Sequence, residues 1–153
     1  MKKTLLFMAL LVLSAVTAMA GTMKIYRGNS TYTSDILYTW DGKHLFSGNS
    51  TYTSDILYSW DGRYLYRGNS TYSSDILLTW DGRKVYQGRS TYTSDILFTW
   101  DGKHIMQGNS TYSSDILFTV ANGHIYRGRS TYTSDILYTF TGAIPIPVLL
   151  AVM

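Results

Sequence analysis

Four kinds of side chain in this chain could do chemistry, and each falls at a fixed position of a 20-residue repeat. The first is aspartate. All ten acidic residues are Asp, at only two repeat positions: Asp35, Asp55, Asp75, Asp95, Asp115 and Asp135, then Asp41, Asp61, Asp81 and Asp101. Carboxylates beside Ser34 and its equivalents could bind Ca²⁺. Such a site needs about six oxygens, however, and each unit brings one carboxylate. Asp alone at fixed offsets fits turn chemistry better, because its short side chain reaches nearby backbone N–H groups.

The second kind is histidine. His44, His104 and His124 share one repeat position, but Tyr64 and Lys84 fill it in other units, which fits a strand surface better than a metal site. The third is tryptophan. Trp40, Trp60, Trp80 and Trp100 form a column that could stack sugar rings if exposed. Val120 and Phe140 take that position in the last units, so bulk and apolarity are what persist, the pattern of a core. The fourth is Asn29-Ser30-Thr31, repeated from Asn49, Asn69 and Asn109. It matches the N-glycosylation pattern, yet Arg89 and Arg129 replace the Asn with no other change, as turn residues would allow.

A catalytic set brings unlike residues together once. Here every polar residue recurs in most units, so the sequence predicts no enzyme, no cofactor and no metal.

The elements that must position these residues follow from the repeat. Units start at Gly28, Gly48, Gly68, Gly88, Gly108 and Gly128, and all share Ser-Thr-Tyr and Ser-Asp-Ile-Leu. Ile36 to Trp40 is β-branched and aromatic, Asp41-Gly42 is a hairpin signal, and Lys43 to Ser47 reads as the return strand. Gly48-Asn49 is a second turn signal. Asp35, Asp41, Gly42 and Gly48 are thus the predicted turn-formers. A two-residue Asp41-Gly42 turn sets Trp40 opposite Lys43, Tyr38 opposite Leu45 and Ile36 opposite Ser47, on the predicted core face. In the fifth unit Val120-Ala121-Asn122-Gly123 places Asn-Gly one residue later, which predicts a shifted register there. Met23 to Arg27 looks like the end of a preceding unit, with Ile25 matching Leu45 and Tyr26 matching Phe46.

The ends differ from the repeats. Lys2 and Lys3, the apolar run Leu5 to Val16 and Ala18-Met19-Ala20 have the layout of a secretory signal, and the run is too short to span a bilayer. The expectation is a signal peptide over 1–20 cleaved after Ala20, a β-repeat domain over 21–142 and an apolar capping segment over 143–153. Thirteen basic residues less Lys2 and Lys3 leave 11 against ten acidic, a balance poorly suited to nucleic acid. With no Cys, the exported domain must hold together without disulfides.

Tyr38 to Phe46 and Val120 to Ile125 resemble the YD repeats of RHS-type proteins, which form hairpins in a spiralling sheet. The Asn-Ser-Thr-Tyr-Thr-Ser-Asp half of the unit has no counterpart there. The 20-residue period and export signal are similar to curli-type fibre subunits, without that family's Gln/Asn ladder positions. The unit length and aromatic content resemble choline-binding repeats, without their Gly-Trp opening. Each resemblance covers half a unit or less, and no functional residue is carried over.

The predicted fold is all-β: six hairpin repeats in an open, coiling antiparallel sheet, with a β-solenoid as the alternative. Pro145 and Pro147 cannot donate ladder hydrogen bonds, so the tail is expected as a blunted edge strand or a cap. Repetition without a singular site predicts an exported bacterial protein of the periplasm or cell surface, with a structural or protein-interaction role. The alternatives are a carbohydrate- or ligand-binding module using the Tyr/Trp columns, and a curli-like fibre subunit. The expected partners are a protein or glycan at the cell surface, or further copies of the chain, with no nucleic acid and no transmembrane helix.

Overall fold

The computed structural model describes residues 21–153. The expected signal peptide and its cleavage after Ala20 lie outside the described residues. The described chain is twelve short strands and one short helix. The strands are β1 (Met23–Arg27), β2 (Ile36–Trp40), β3 (His44–Ser47), β4 (Ile56–Trp60), β5 (Tyr64–Arg67), β6 (Ile76–Trp80), β7 (Lys84–Gln87), β8 (Ile96–Trp100), β9 (His104–Gln107), β10 (Ile116–Ala121), β11 (His124–Arg127) and β12 (Ile136–Phe140). The helix, α1, spans Ile146–Leu150. A single 3-10 turn precedes each even-numbered strand, as at Thr33–Asp35 before β2.

Every strand pairs antiparallel with its sequence neighbour, and β1 pairs with both β2 and β12. The sheet is therefore a closed barrel, not the expected open array, and the antiparallel pairing also excludes the solenoid alternative. Closure depends on β1. The sixth unit lacks a return strand of its own, and β1 supplies it from the other end of the chain. Ile25 lies opposite Phe140 just as Leu45 lies opposite Trp40. The glycine-turn bonds repeat across this seam: Thr139 Oγ1 donates to Gly28 O at 2.7 Å, as Thr39 Oγ1 does to Gly48 O at 2.8 Å. Lys24 and Thr141 add a reciprocal pair, backbone N to hydroxyl at 2.9 Å and backbone N to carbonyl at 3.0 Å.

The hairpin turns sit one residue later than expected. Trp40 lies opposite Leu45, Thr39 opposite Phe46 and Tyr38 opposite Ser47. The two central turn residues are Gly42 and Lys43, and Asp41 is the residue before them. Gly42 has φ +98°, as a turn with Gly at its first central position requires. The fifth unit pairs Val120 with Ile125, the same register as the others, so the predicted shift there does not occur. Asn122 (φ 53°) and Gly123 (φ 74°) occupy the same two turn positions, both left-handed as an Asn-Gly hairpin requires.

A register moved by two residues keeps the faces of the strand ends, because side chains alternate with period two. Ile36 is the exception. A bulge at Leu37 places Ile36 opposite Tyr26 while Tyr38 faces Ile25, so Ile36 leaves the predicted core face.

The inward face carries Ile25, Tyr38, Trp40, Leu45, Trp60 and Leu65, which form one cluster with Ile144, Val148, Leu149 and Val152 of the tail. Pro145 and Pro147 do not form an edge strand. Pro145 is the N-cap of α1 and Pro147 lies in its first turn, where a fixed φ suits the helix and a missing N–H costs nothing. A barrel of about eight strands is filled by its own side chains, and twelve leave a wider lumen. The tail occupies that space. It leaves β12 at Gly142, beside Met23, and its last residue, Met153, reaches Arg27, Leu37 and Leu137 at the opposite end. Tyr138 donates its hydroxyl to Val152 O at 3.2 Å, tying the tail to the wall. A depression of about 400 Å³ remains there, lined by Arg27, Leu37, Phe118, Leu137, Tyr138 and Met153.

Candidate functional site

Two sets of turns crown the barrel, one at each end of the strands, and between them they hold the predicted turn-formers, while the tryptophans and histidines lie in the strands.

At one end are the Asp-Gly turns. Asp41 Oδ1 accepts from the N–H groups of Lys43 (2.8 Å) and His44 (2.6 Å), so the carboxylate takes the place of a ladder carbonyl. Asp61, Asp81 and Asp101 repeat this. In the fifth unit Ala121 has no carboxylate, and the ladder runs one pair further, with Ala121 opposite His124. The second carboxylate oxygen takes a side-chain donor that changes with the unit. It is Tyr66 Oη for Asp61 (2.8 Å) and Tyr86 Oη for Asp81 (2.9 Å). Where Phe46 or Met106 replaces that tyrosine, the imidazole of His44 or His104 takes over, at 3.2 and 2.9 Å. Burial pushes the Asp41 carboxyl up, but the His44 and Lys43 N–H groups and the His44 ring outweigh it. The net result is a pKa below the ordinary aspartate value, and Asp61, Asp81 and Asp101 shift the same way through their own donors.

The three histidines do not meet. His44 and His104 serve separate turns, and His124 contacts Thr139 Oγ1 at 3.0 Å. Among the described residues no group of three or more His, Cys, Asp or Glu could hold a metal ion. The tryptophan column turns inward. Trp40 is 2% exposed and Trp60 8%, and Trp80 and Trp100 are half-buried. Trp40 and Trp60 lie in the core cluster and Trp80 packs against it, while Trp80 also lines an open depression with Arg63, Asp81 and Thr91.

At the other end are the glycine turns, with Gly48 at φ +62° and its equivalents alike. Gly48 N donates to Leu37 O and Gly48 O accepts from Thr39, so the turn curls back over the outer face and seals the buried Thr39 hydroxyl. Beyond it, Ser30 Oγ donates to Asp35 Oδ2 at 2.5 Å and accepts from Tyr32 N at 3.1 Å, and Asp35 N donates to Tyr32 O at 2.9 Å. Five further copies of this clamp hold Asp55, Asp75, Asp95, Asp115 and Asp135. The Asp35 series is turn chemistry, with its carboxylates engaged inside the unit.

What the clamp presents is a tyrosine. Tyr32, Tyr52, Tyr72, Tyr92, Tyr112 and Tyr132 are 72–76% exposed, the six most exposed large apolar side chains of the described residues. Their backbones are nearly superimposable, with φ between −77° and −82° and ψ between 139° and 142°. Among the described residues none of the six phenols has a hydrogen-bond partner. Sequence reasoning named Tyr/Trp columns as a binding alternative but singled out only the four tryptophans by position, not these six tyrosines. The available signal was invariance: all six units keep Tyr here, whereas the Trp position drifts to Val and Phe.

No helix among the described residues is long and apolar enough to cross a membrane. No curated protein and no solved structure matches the chain. A family model described as "6-fold beta flower protein" matches residues 25–151, the span from β1 through α1. Six repeats closed into one ring are what that description names, and the chain belongs to the 6-fold beta flower family.

Proposed function

We propose that this protein is an exported bacterial interaction module of the periplasm or cell surface, whose contact surface is the ring of six clamped tyrosines. The observation that carries the proposal is their exposure of 72–76% in every unit. A tyrosine that open adds little to the core. It costs solubility, and the fold has no need of it in six copies. A Ser–Asp clamp that fixes the backbone beneath each ring lowers the ordering cost of binding. Export rests on the expected signal peptide. No catalytic step is part of the proposal, because the repeated polar residues are engaged in turns.

The fibre alternative gains nothing from this architecture. Strand addition needs an unpaired edge, and closure through β1 uses both.

The test is retention of the mature chain, residues 21–153, on isolated bacterial envelopes. It compares the native sequence with a variant carrying Tyr→Ser at all six ring positions. Retention lost at least tenfold, with an unchanged melting temperature, supports the assignment. Equal retention of both proteins overturns it. Sequencing the secreted protein from its N-terminus checks export, with Gly21 as the expected first residue.

A further inference from the structure

We propose that the tyrosine ring recognises a neutral glycan chain, one sugar platform per unit; this rests on the ring being the contact surface. Three observations point to that chemistry. The first is the company each tyrosine keeps. The exposed side chains next to Tyr52 in the chain are Asn49, Thr51, Thr53 and Ser54, all amides and hydroxyls, and the nearest exposed aliphatic side chain along the chain is Leu57, 36% exposed. A protein interface needs a contiguous apolar centre that excludes water. Six aromatic rings separated by hydroxyls do not form one, and the apolar depression lined by Leu37, Phe118, Leu137 and Met153 at this end does not recur with the six units. A pyranose asks for something smaller: an aromatic face for its C–H surface, and a few amides and hydroxyls for its own hydroxyls.

The second observation is charge. The only carboxylate in each turn, such as Asp55, is bonded to its own serine. The exposed arginines at this end are Arg27, Arg67 and Arg127 before the turn glycines and Arg89 and Arg129 at the Asn49 position, five against the six clamp carboxylates, so no net basic ring forms to select an anionic polymer.

The third is repetition. Each unit contributes two strands, so successive tyrosines recur about every 10 Å around the barrel wall, twice the spacing between neighbouring strands. Six equal platforms at a regular interval suit a partner that is itself periodic. Individually weak contacts then add through effective concentration.

The experiment uses the mature chain and two soluble probes, the neutral hexamer and dimer of β-linked N-acetylglucosamine, with calorimetry as the readout. Purified peptidoglycan sacculi, a larger chain of related sugars, serve as a third probe by sedimentation. The expected result is binding of the hexamer at least tenfold tighter than the dimer, together with retention on sacculi. Affinity should fall stepwise as Tyr→Ser is introduced at one, three and six ring positions. Tyr52→Phe should keep most of the affinity, because the ring face is what binds. Trp fluorescence should change little, since the binding rings are the tyrosines and Trp40 and Trp60 are buried. Failure of all three probes, with envelope retention still dependent on the tyrosines and abolished by protease treatment of the envelopes, overturns the glycan in favour of a protein partner and leaves the contact surface standing. Hexamer binding that survives all six substitutions overturns the assignment of the ring itself.

Discussion

Single side chains in this protein close backbone circuits that the strands leave open. Thr119 Oγ1 donates to Gly128 O at 2.7 Å while fully buried, and each unit has such a hydroxyl, Ser59 in the second. Thr119→Val keeps the volume and leaves the half-buried Gly128 carbonyl without this donor, so a loss of about 1–3 kcal/mol is expected in chemical denaturation. A change within experimental error would show that water or a shifted turn satisfies Gly128 instead. The Asp41, Asp61, Asp81 and Asp101 carboxyls lie below their ordinary pKa because backbone N–H groups, with a histidine or tyrosine, stabilise the charged form. A depressed folded pKa stabilises the native state above the unfolded value of about 3.9, and that contribution is lost as pH falls from there through the lower folded pKa. The melting temperature should therefore drop between pH 5 and pH 2. The fourfold Asp→Asn variant, which keeps an acceptor oxygen without titrating, should show a shallower drop. An unaltered slope would remove these four residues from the acid response.

The helix α1 is five residues long, too short to hold itself together in water, and its stability must come from what surrounds it. Leu149 is 1% exposed and Val148 0%, both in the cluster with Trp40 and Leu45. Leu149→Ala is expected to cost about 2–5 kcal/mol, because the lumen wall is a closed sheet that cannot collapse onto the gap. Thermal or chemical melts read this directly, and a cost below about 1 kcal/mol would mean the tail is only loosely seated. The tail was the element least legible beforehand. Pro145 and Pro147 forbid a central strand and favour the first turn of a helix equally well. Only the width of the lumen decides between them, and that width is a property of the closed ring. The strands were legible because alternation and turn residues are local signals. The turn was misplaced by one residue because Asp41-Gly42 carries a hairpin signature. Here, though, the aspartate side chain works from outside the turn, while Gly42 and Lys43 make it. Which of the Tyr and Trp columns faces solvent was not legible, because exposure is not a local property. Tyr52 and Tyr58 are the same residue type, both close to β-forming segments, and only the fold separates a ring in solvent from one in the lumen.

At the scale of the whole molecule, closure depends on β1, whose resemblance to a unit ending was already visible in Ile25 and Tyr26. The fragment reads as the end of a preceding unit, and in the fold it completes the sixth, which has no return strand of its own. Removing residues 21–27 should leave β2 and β12 as unpaired edges. Light scattering on the shortened protein is then expected to show association, and residues 21–153 are expected to remain monomeric. A shortened protein that stays monomeric with an unchanged melting temperature would mean the ring closes without β1.

The plug in the lumen has a consequence for how this sequence can change. Six near-identical segments invite the gain or loss of a whole segment by slippage in the gene, and an open array would tolerate either. A ring does not grow smoothly, because its bore widens with every added pair of strands. The tail is cut to one bore. In a five-unit ring it would be squeezed out, and in a seven-unit ring it would rattle in a partly empty channel. The short apolar tail thus acts as a gauge that counts the repeats, and the count it accepts is six.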